Sequence, residues 1–113
     1  MWLVNCENYR LEENDIDGPN PTPYFILSHT WGDDEVTFND LNLSLDTAIH
    51  KKGFEKIRGI CEVALTYGCS HVWVDTCCID KTSSAELTES INSMFHWHSK
   101  AEACFCSVEA QPA

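Results

Sequence analysis

The chain has 113 residues, and its seven lysines and arginines are outnumbered by eighteen aspartates and glutamates, which gives a formal net charge of −11. A chain of this length holds one core or a piece of one. Because nucleic-acid binding depends on cationic side chains that neutralise phosphates, we expect neither DNA nor RNA as a partner. The sequence contains no long apolar span and no signal peptide, so we expect no membrane span and a cytoplasmic location.

Residues 1–23 are predicted to form a leading strand and a loop. Trp2 to Val4 are apolar enough for a short strand. Residues 12–23 are acidic and rich in proline and asparagine, a composition that is typical of a surface loop. Pro23 cannot donate a hydrogen bond to a sheet, so the next strand is expected to begin at Tyr24.

A core of residues 24–108 follows, and it begins with the apolar run Tyr24 to Leu27. Continuous apolar runs of this kind are typical of strands that are buried on both faces of a parallel sheet. The strand should end by Gly32. Beyond it, Val36 to Phe38 are predicted to form a brief strand, and residues 40–45 a turn or a loose helical segment.

A helix is predicted from residue 54 onward, because apolar residues recur there at intervals of three and four. They are Phe54, Ile57, Ile60, Cys61, Ala64 and Leu65. Gly68 is placed to end this helix. A second apolar run, His71 to Val74, comes next. A strand, a helix and a strand over this length favour two parallel strands joined by a right-handed crossover.

A second helix is predicted after the second strand. Ser83 and Glu86 have the spacing of a capping box, which satisfies backbone amides at the start of a helix. The predicted apolar face of this helix consists of Leu87, Ile91, Met94, Phe95 and His98. Ala103 to Val108 are predicted to form a third strand, and residues 109–113 a tail.

Polar residues follow both apolar runs at the positions where the strands end. The carboxyl ends of parallel strands share one edge of a sheet, and ligands bind at that edge in open α/β sheets. Four of these polar residues are therefore expected to converge there: Ser28, His29, Asp75 and Asp80.

The seven cysteines are predicted to be reduced and mostly packed in the core, because their odd number and irregular spacings give no disulfide framework. No metal site is predicted. Cys77 and Cys78 would point to opposite faces as neighbours on a strand, and no two cysteines have the C-x-x-C spacing of zinc ligands. The least unsuitable zinc ligands would be Cys104, Cys106 and a helix histidine.

Three segments together resemble the fungal heterokaryon-incompatibility (HET) domain, specifically its amino-terminal part. They are YFILSHTWGDDEVTFNDL, GFEKIRGICEVALTYGCSHVWVDTCCIDK and SSAELTESINSMFHW. The resemblance covers nearly the whole chain and implies a single HET domain over residues 1–113. It also implies an α/β fold similar to the Toll/interleukin-receptor (TIR) domain. Such a fold is a small flavodoxin-like, mostly parallel sheet flanked by helices, here incomplete at the carboxyl end.

HET domains act in self/non-self recognition that ends in programmed cell death, so the resemblance implies an effector of this kind. Its implied partners are like HET domains or other death-signalling proteins, and its implied active form is an oligomer. TIR-like domains include enzymes that hydrolyse the nicotinamide–ribose bond of NAD with one glutamate. NAD is therefore a candidate substrate, with no separate cofactor. The alternatives are a non-enzymatic module for homotypic interaction and an inactive fragment of a larger HET protein.

Two glutamates are candidates for the catalytic carboxylate that this resemblance implies. Glu89 is the first choice, although helical periodicity alone places it on a solvated face. Glu86 is the alternative, and its capping-box position also gives it a structural explanation. In this reaction a carboxylate stabilises the oxocarbenium-like centre or orients the ribose hydroxyls.

Seven residues are predicted to bind the ligand. The Trp31 ring offers a flat surface for stacking a base, and Gly32 permits a sharp backbone turn. Lys81 precedes the amino terminus of a helix and is a candidate anion-binding group. Each predicted residue also has an ordinary structural explanation in a turn or at the core surface. The remaining four are Ser28, Thr30, Asp75 and Asp80.

Overall fold

A computed structural model describes residues 1–29 and 32–107, with the side chains of residues 28, 29 and 105–107 excluded. Within these ranges the chain forms five strands and four helices, and none of these helices is long and apolar enough to cross a membrane. In chain order they are β1 Trp2–Asn5, β2 Leu11–Glu13, β3 Phe25–His29, α1 Phe38–Leu43, α2 Leu45–Ala48, α3 Phe54–Thr66, β4 His71–Val74, α4 Ser84–Lys100 and β5 Ala103–Ser107.

The strands form one mixed sheet in the order β2-β1-β4-β3-β5. Strand β3 is parallel to both of its neighbours, since Phe25 pairs with Val72 of β4 and with Ala103 of β5. The prediction that the two apolar runs lie side by side in the same direction is therefore confirmed. Strand β1 is antiparallel to both β2 and β4, so the expectation of a mostly parallel sheet is wrong at this end.

The antiparallel end of the sheet has a local cause. Only residues 6–10 separate β1 from β2, and a connection this short joins antiparallel neighbours. Tyr9 takes a left-handed φ of 59° in the turn, and the Asn5 amide donates to the Arg10 carbonyl at 2.8 Å. Strand β2 occupies the beginning of the segment predicted as a surface loop, which corrects the boundary of that loop.

The two long helices cover opposite faces of the sheet. Neighbouring residues on a strand point to opposite faces, and the central residues of β3 and β4 are all buried. Trp73 of β4 contacts Trp97 of α4, with ring centroids 5.8 Å apart. Phe25 pairs with Val72 and contacts Tyr67 at the end of α3, with centroids 6.3 Å apart. Burial of these strands on both faces confirms the prediction from their apolar sequences.

Helix α3 has nearly the buried face that its sequence predicts. Leu65 is the exception, since 42% of its surface is exposed. Gly68 ends the helix as predicted, with a left-handed φ of 79°. Its amide donates to the Leu65 carbonyl and the Cys69 amide donates to the Ala64 carbonyl, which is the pattern of a Schellman motif. The buried residues are Phe54, Ile57, Ile60, Cys61 and Ala64.

Residues 36–38 do not form the predicted strand, because Thr37 caps α1. The Thr37 side chain accepts a hydrogen bond from the Asp40 amide, and the Thr37 amide donates to the Asp40 carboxylate at 2.8 Å. This reciprocal pair is a capping box. The helical alternative for residues 40–45 is therefore the correct one. Val36 is buried in the core, and Phe38 packs against Trp2 instead of continuing a sheet.

Helix α4 is rotated by part of a turn from the orientation that its sequence predicts. Leu87 and Met94 of the predicted face pack against the core, and the His98 ring contacts Trp73. Its buried residues are Ser90 and Trp97, and neither belongs to the predicted face. Ile91 and Phe95, which do belong to it, are 63% and 87% exposed. The Trp97 indole accounts for this rotation, because packing its edge against Trp73 buries more apolar area than a phenylalanine ring offers.

Tyr24 ties the start of β3 to α4, and burial of its phenol makes the fold sensitive to alkaline pH. The Tyr24 hydroxyl donates to the Trp97 carbonyl, and burial raises the pKa of the phenol to about 12. An ordinary tyrosine has a pKa of about 10, so the unfolded chain loses this proton first. The free energy that the protonated phenol contributes to folding is complete below pH ~10. It is lost as the pH rises toward 12, and the loss amounts to about 2–3 kcal/mol.

We expect Tyr24→Phe to lower the free energy of unfolding by about 1 kcal/mol at neutral pH, because the buried hydrogen bond is lost. Because the variant has no phenol to titrate at this position, its stability should also fall less at alkaline pH. Urea unfolding near neutral pH and between the two pKa values measures both effects. Tyr67→Phe is the control, since Tyr67 is 72% exposed and its change should stay below about 0.5 kcal/mol. An undiminished alkaline loss in Tyr24→Phe would contradict the assignment.

Candidate functional site

Strands β3 and β4 end at the same edge of the sheet, because they are parallel and in register. The edge predicted to carry the ligand-binding residues therefore exists. Ser28 lies in β3, and its backbone is paired with that of β5. Four predictions at this edge fall outside the described residues: the side chains of Ser28 and His29, and the whole of Thr30 and Trp31.

Gly32, another predicted ligand-binding residue, is bonded within the protein. Its amide donates to Glu35 Oε2 at 2.7 Å. The same oxygen lies 2.9 Å from Lys56 Nζ, in an ion pair whose side chains are 14% exposed for the lysine and 6% for the glutamate. Lys51 Nζ donates to the Glu35 carbonyl at 3.1 Å. Glu35 thus ties the loop after β3 to α3 and to the segment before it.

Sequence reasoning missed Glu35. It follows Asp33 and Asp34, and a run of three acids in a turn is typical of a solvated segment. Nothing local distinguishes the third acid as buried, because its lysine partner is 21 residues further along the chain. Only the folded arrangement brings the two charges together.

Asp75, Asp80 and Lys81 follow β4 as predicted, and each takes part in local hydrogen bonds. Lys81 Nζ donates to the Asp75 carbonyl at 2.8 Å. Asp80 Oδ1 accepts from the Thr82 amide at 3.1 Å and also from the Thr82 hydroxyl. Asp80 and Lys81 line a cavity of about 210 Å³ beside Phe38 at the start of α1.

Glu86 and Glu89 differ in their hydrogen-bond partners. Ser83 caps α4 as predicted, and its Oγ accepts from the Glu86 amide at 3.3 Å. The Glu86 carboxylate accepts from the Asp80 amide at 3.1 Å, so it braces the loop before the helix. Glu89 is exposed, and among the described residues its carboxylate has no hydrogen-bond partner.

Both glutamates line a second cavity, of about 280 Å³, between α4 and the β1–β2 hairpin. A third glutamate, two tryptophans and the buried Ser90 also line it. No lysine or arginine side chain is in its lining. The residues that set its chemistry are Trp2, Glu13, Glu86, Glu89, Ser90 and Trp97.

The predicted site is therefore divided between two cavities. Glu86 lies with Glu89 in one and Asp80 with Lys81 in the other, and the two linings share no residue. Asp75 is in neither of these linings. A ligand seated wholly in the glutamate cavity would find no lysine or arginine side chain there to neutralise a phosphate.

Four residues of the glutamate cavity were missed by sequence reasoning. Trp2 and Glu13 reach it because the β1–β2 hairpin pairs with β4, a long-range contact that no local pattern reveals. Ser90 and Trp97 reach it because α4 is rotated relative to its predicted face. Their spacing of seven residues, about two helical turns, is the signal that could have identified this face.

The cysteines follow the prediction in burial but not in geometry. Among the described residues, five cysteines are buried and form no disulfide, and Cys104 is exposed and also free. Cys77 and Cys78 lie in the turn after β4, so the argument that they point to opposite faces of a strand is wrong. A hydrogen bond of the Cys77 thiol to Cys78 and burial raise the pKa of Cys77. Within residues 1–29 and 32–107, no three His, Cys, Asp or Glu side chains are grouped as metal ligands would be.

Residues 24–113 match the family described as Heterokaryon incompatibility protein (HET). This match covers most of the chain, so the chain belongs to the HET family, as its sequence motifs predict. The vegetative incompatibility protein HET-E-1 of Podospora anserina is 49% identical over 83 residues, which are 74% of this chain. The chain spans about 6% of the length of that curated relative. No solved structure matches this chain significantly.

Proposed function

We propose that this chain is the HET domain of an incompatibility protein and acts as an effector that turns self/non-self recognition into a cell-death signal. Membership of the HET family and the identity to a protein named for vegetative incompatibility support this proposal. The domain would extend over residues 1–113 and act in the cytoplasm. Its partners would be like HET domains, with an oligomer as the active form.

We propose a TIR-like, flavodoxin-like arrangement for the parallel part of the sheet. The strand order supports it, because β3 precedes β4 and β5 in the chain and lies between them in the sheet. Flavodoxin-like sheets begin with the same order, 2-1-3, and bind ligands where the order reverses, beside the first strand. In this chain the corresponding position is the carboxyl end of β3.

We propose that the domain hydrolyses the nicotinamide–ribose bond of NAD, with Glu89 as the catalytic carboxylate. The observation that carries this proposal is the contrast between two glutamates of one cavity. Glu86 is engaged by the Asp80 amide, whereas Glu89 is exposed and unbonded among the described residues. Such a carboxylate can stabilise the positive charge that develops on the ribose as nicotinamide leaves.

The separation of Glu89 from Lys81 is compatible with a ligand as long as a dinucleotide. Consecutive residues line the two cavities, Thr82 in one and Ser83 in the other. A dinucleotide that crosses this segment would place its nicotinamide riboside in the glutamate cavity and its diphosphate toward Lys81. We propose that Asp75 and Asp80 shape this second end of the site.

The test is nicotinamide release from NAD by the full chain, fused to an oligomerising coiled coil. We expect Glu89→Gln to lower the rate at least about 100-fold, because it removes the charge that stabilises the transition state. Glu62→Gln, at an exposed position of α3, is the control and should retain the wild-type rate. Equal release by wild type and Glu89→Gln would exclude Glu89, and no release by any form would exclude the reaction.

The second candidate function is a non-enzymatic interaction module, and the exposed apolar side of α4 favours it. Ile91 and Phe95 are one helical turn apart and 63% and 87% exposed. In a cell-killing assay, this function predicts that Glu89→Gln kills like wild type and that Phe95→Ser does not. The opposite pattern would support the enzymatic proposal.

A further inference from the structure

The glutamate cavity has an electrostatic character that the cleavage chemistry alone does not require. Three glutamates line this cavity of about 280 Å³: Glu13, Glu86 and Glu89. No lysine or arginine side chain lines it. Met1 also lines the cavity, and its thioether side chain carries no charge. The unbalanced field of these carboxylates favours a cation and disfavours an anion.

Ser90 is an independent indication that the cavity can accept a polar ligand. It is a polar residue on the buried side of α4 and only 2% of its surface is exposed. It lines the cavity, and its hydroxyl has no hydrogen-bond partner among the described residues. Buried hydroxyls are normally hydrogen-bonded. A ligand with a polar group at the cavity wall would satisfy this one.

Two indole rings define the shape of the ligand. Trp2 and Trp97 line the same cavity as the carboxylates, and Trp97 is held against Trp73 with ring centroids 5.8 Å apart. Tryptophan is the side chain that attracts cations most strongly through its ring face, and it also stacks on flat rings. Indoles combined with carboxylates suit a flat organic cation better than a metal ion.

We propose that the glutamate cavity binds a small, flat, singly charged organic cation and discriminates it from a neutral ring of the same shape. The ring lies against the indoles, the charge faces the carboxylates, and a polar substituent bonds to the Ser90 hydroxyl. This inference deepens the proposed function and rests on it in one respect, because the oxidised nicotinamide ring of NAD is such a cation. Binding itself requires no cleavage.

The test compares the 1-methylnicotinamide cation with neutral nicotinamide. Both are titrated into the full chain, and the signals of its indole N–H groups are followed by NMR. We expect the Trp2 and Trp97 signals to shift and the cation to bind at least about tenfold more tightly than the neutral ring. Glu13→Gln and Glu89→Gln should each weaken binding of the cation about tenfold and leave binding of the neutral ring unchanged.

Glu62→Gln is the matched control, because it removes one carboxylate from α3, on the other face of the sheet, and should leave both affinities as in wild type. Equal affinities for the two probes would overturn the proposal. A preference for the cation that persists in both cavity variants would overturn it as well. Cation binding without NAD cleavage would refute only the enzymatic function, and cleavage without a preference for the cation would refute only this inference.

Discussion

Gly53→Ala is expected to lower the free energy of unfolding by about 3 kcal/mol, the upper part of the range for overpacked positions. A Cβ atom at this buried glycine would lie 2.5 Å from Glu35 Oε1 and 2.8 Å from Glu35 Cα. A flexible side chain could move away, but the Cα atom belongs to the backbone. The Gly53 amide also donates to the Asp34 carbonyl at 3.0 Å, which prevents the two segments from separating without further loss.

Gly59→Ala is the matched control, because it makes the same substitution six residues further on, inside α3. A Cβ atom there meets nothing within 4 Å. Alanine is the better helix former by about 1 kcal/mol, so this variant should be more stable than wild type. Urea unfolding of both variants gives the two free energies. If both variants changed the free energy of unfolding in the same direction, close contact with Glu35 would not be what makes alanine unfavourable at position 53.

The contact at Gly53 matters for function because of what Glu35 holds. The Glu35 carboxylate accepts from the Gly32 amide at 2.7 Å, and Gly32 belongs to the segment that follows β3. Gly32 is the last residue of the sequence L-S-H-T-W-G, which begins inside β3. A glycine before α3 thus lets the chain approach closely enough for one buried acid to fix the loop at the carboxyl edge of the sheet.

The sequence predicted the features that local chemistry decides. Ser83 caps α4 because its hydroxyl accepts from an amide three residues later, and Gly68 ends α3 because it tolerates a left-handed backbone. The parallel pairing of β3 with β4 was also predictable, since a helical crossover of this length joins parallel strands. These features explain why Glu86 and Glu89 could be placed correctly on the first turns of a helix.

The composition of the glutamate cavity was not predictable, because it depends on long-range choices. Glu13 enters the lining only through the antiparallel pairing of the β1–β2 hairpin. Trp97 enters it because the sheet buries an indole in preference to Phe95. The predicted and observed faces of α4 share Leu87 and Met94. What separates the two faces is the contact of Trp97 with Trp73, a ring on another element that local periodicity does not reveal.

Lys56→Met is expected to lower the free energy of unfolding by about 3–5 kcal/mol, because it leaves a buried carboxylate without its ammonium partner. The pair has an Nζ–Oε2 distance of 2.9 Å, and only 6% of the Glu35 side chain is exposed. A carboxylate in that position can recover little solvation from water. Lys52→Met is the control, since Lys52 is exposed and its change should stay within about 0.5 kcal/mol.

The double variant Glu35→Gln, Lys56→Met separates the cost of removing the ammonium group alone from the net contribution of the pair. Without a buried charge, the glutamine can still accept the hydrogen bond from the Gly32 amide. We therefore expect the double variant to be more stable than Lys56→Met alone, with a coupling free energy of about 1–3 kcal/mol from the complete cycle. Additive losses in urea unfolding would mean that the two side chains act independently, and that the loop after β3 is held by other contacts.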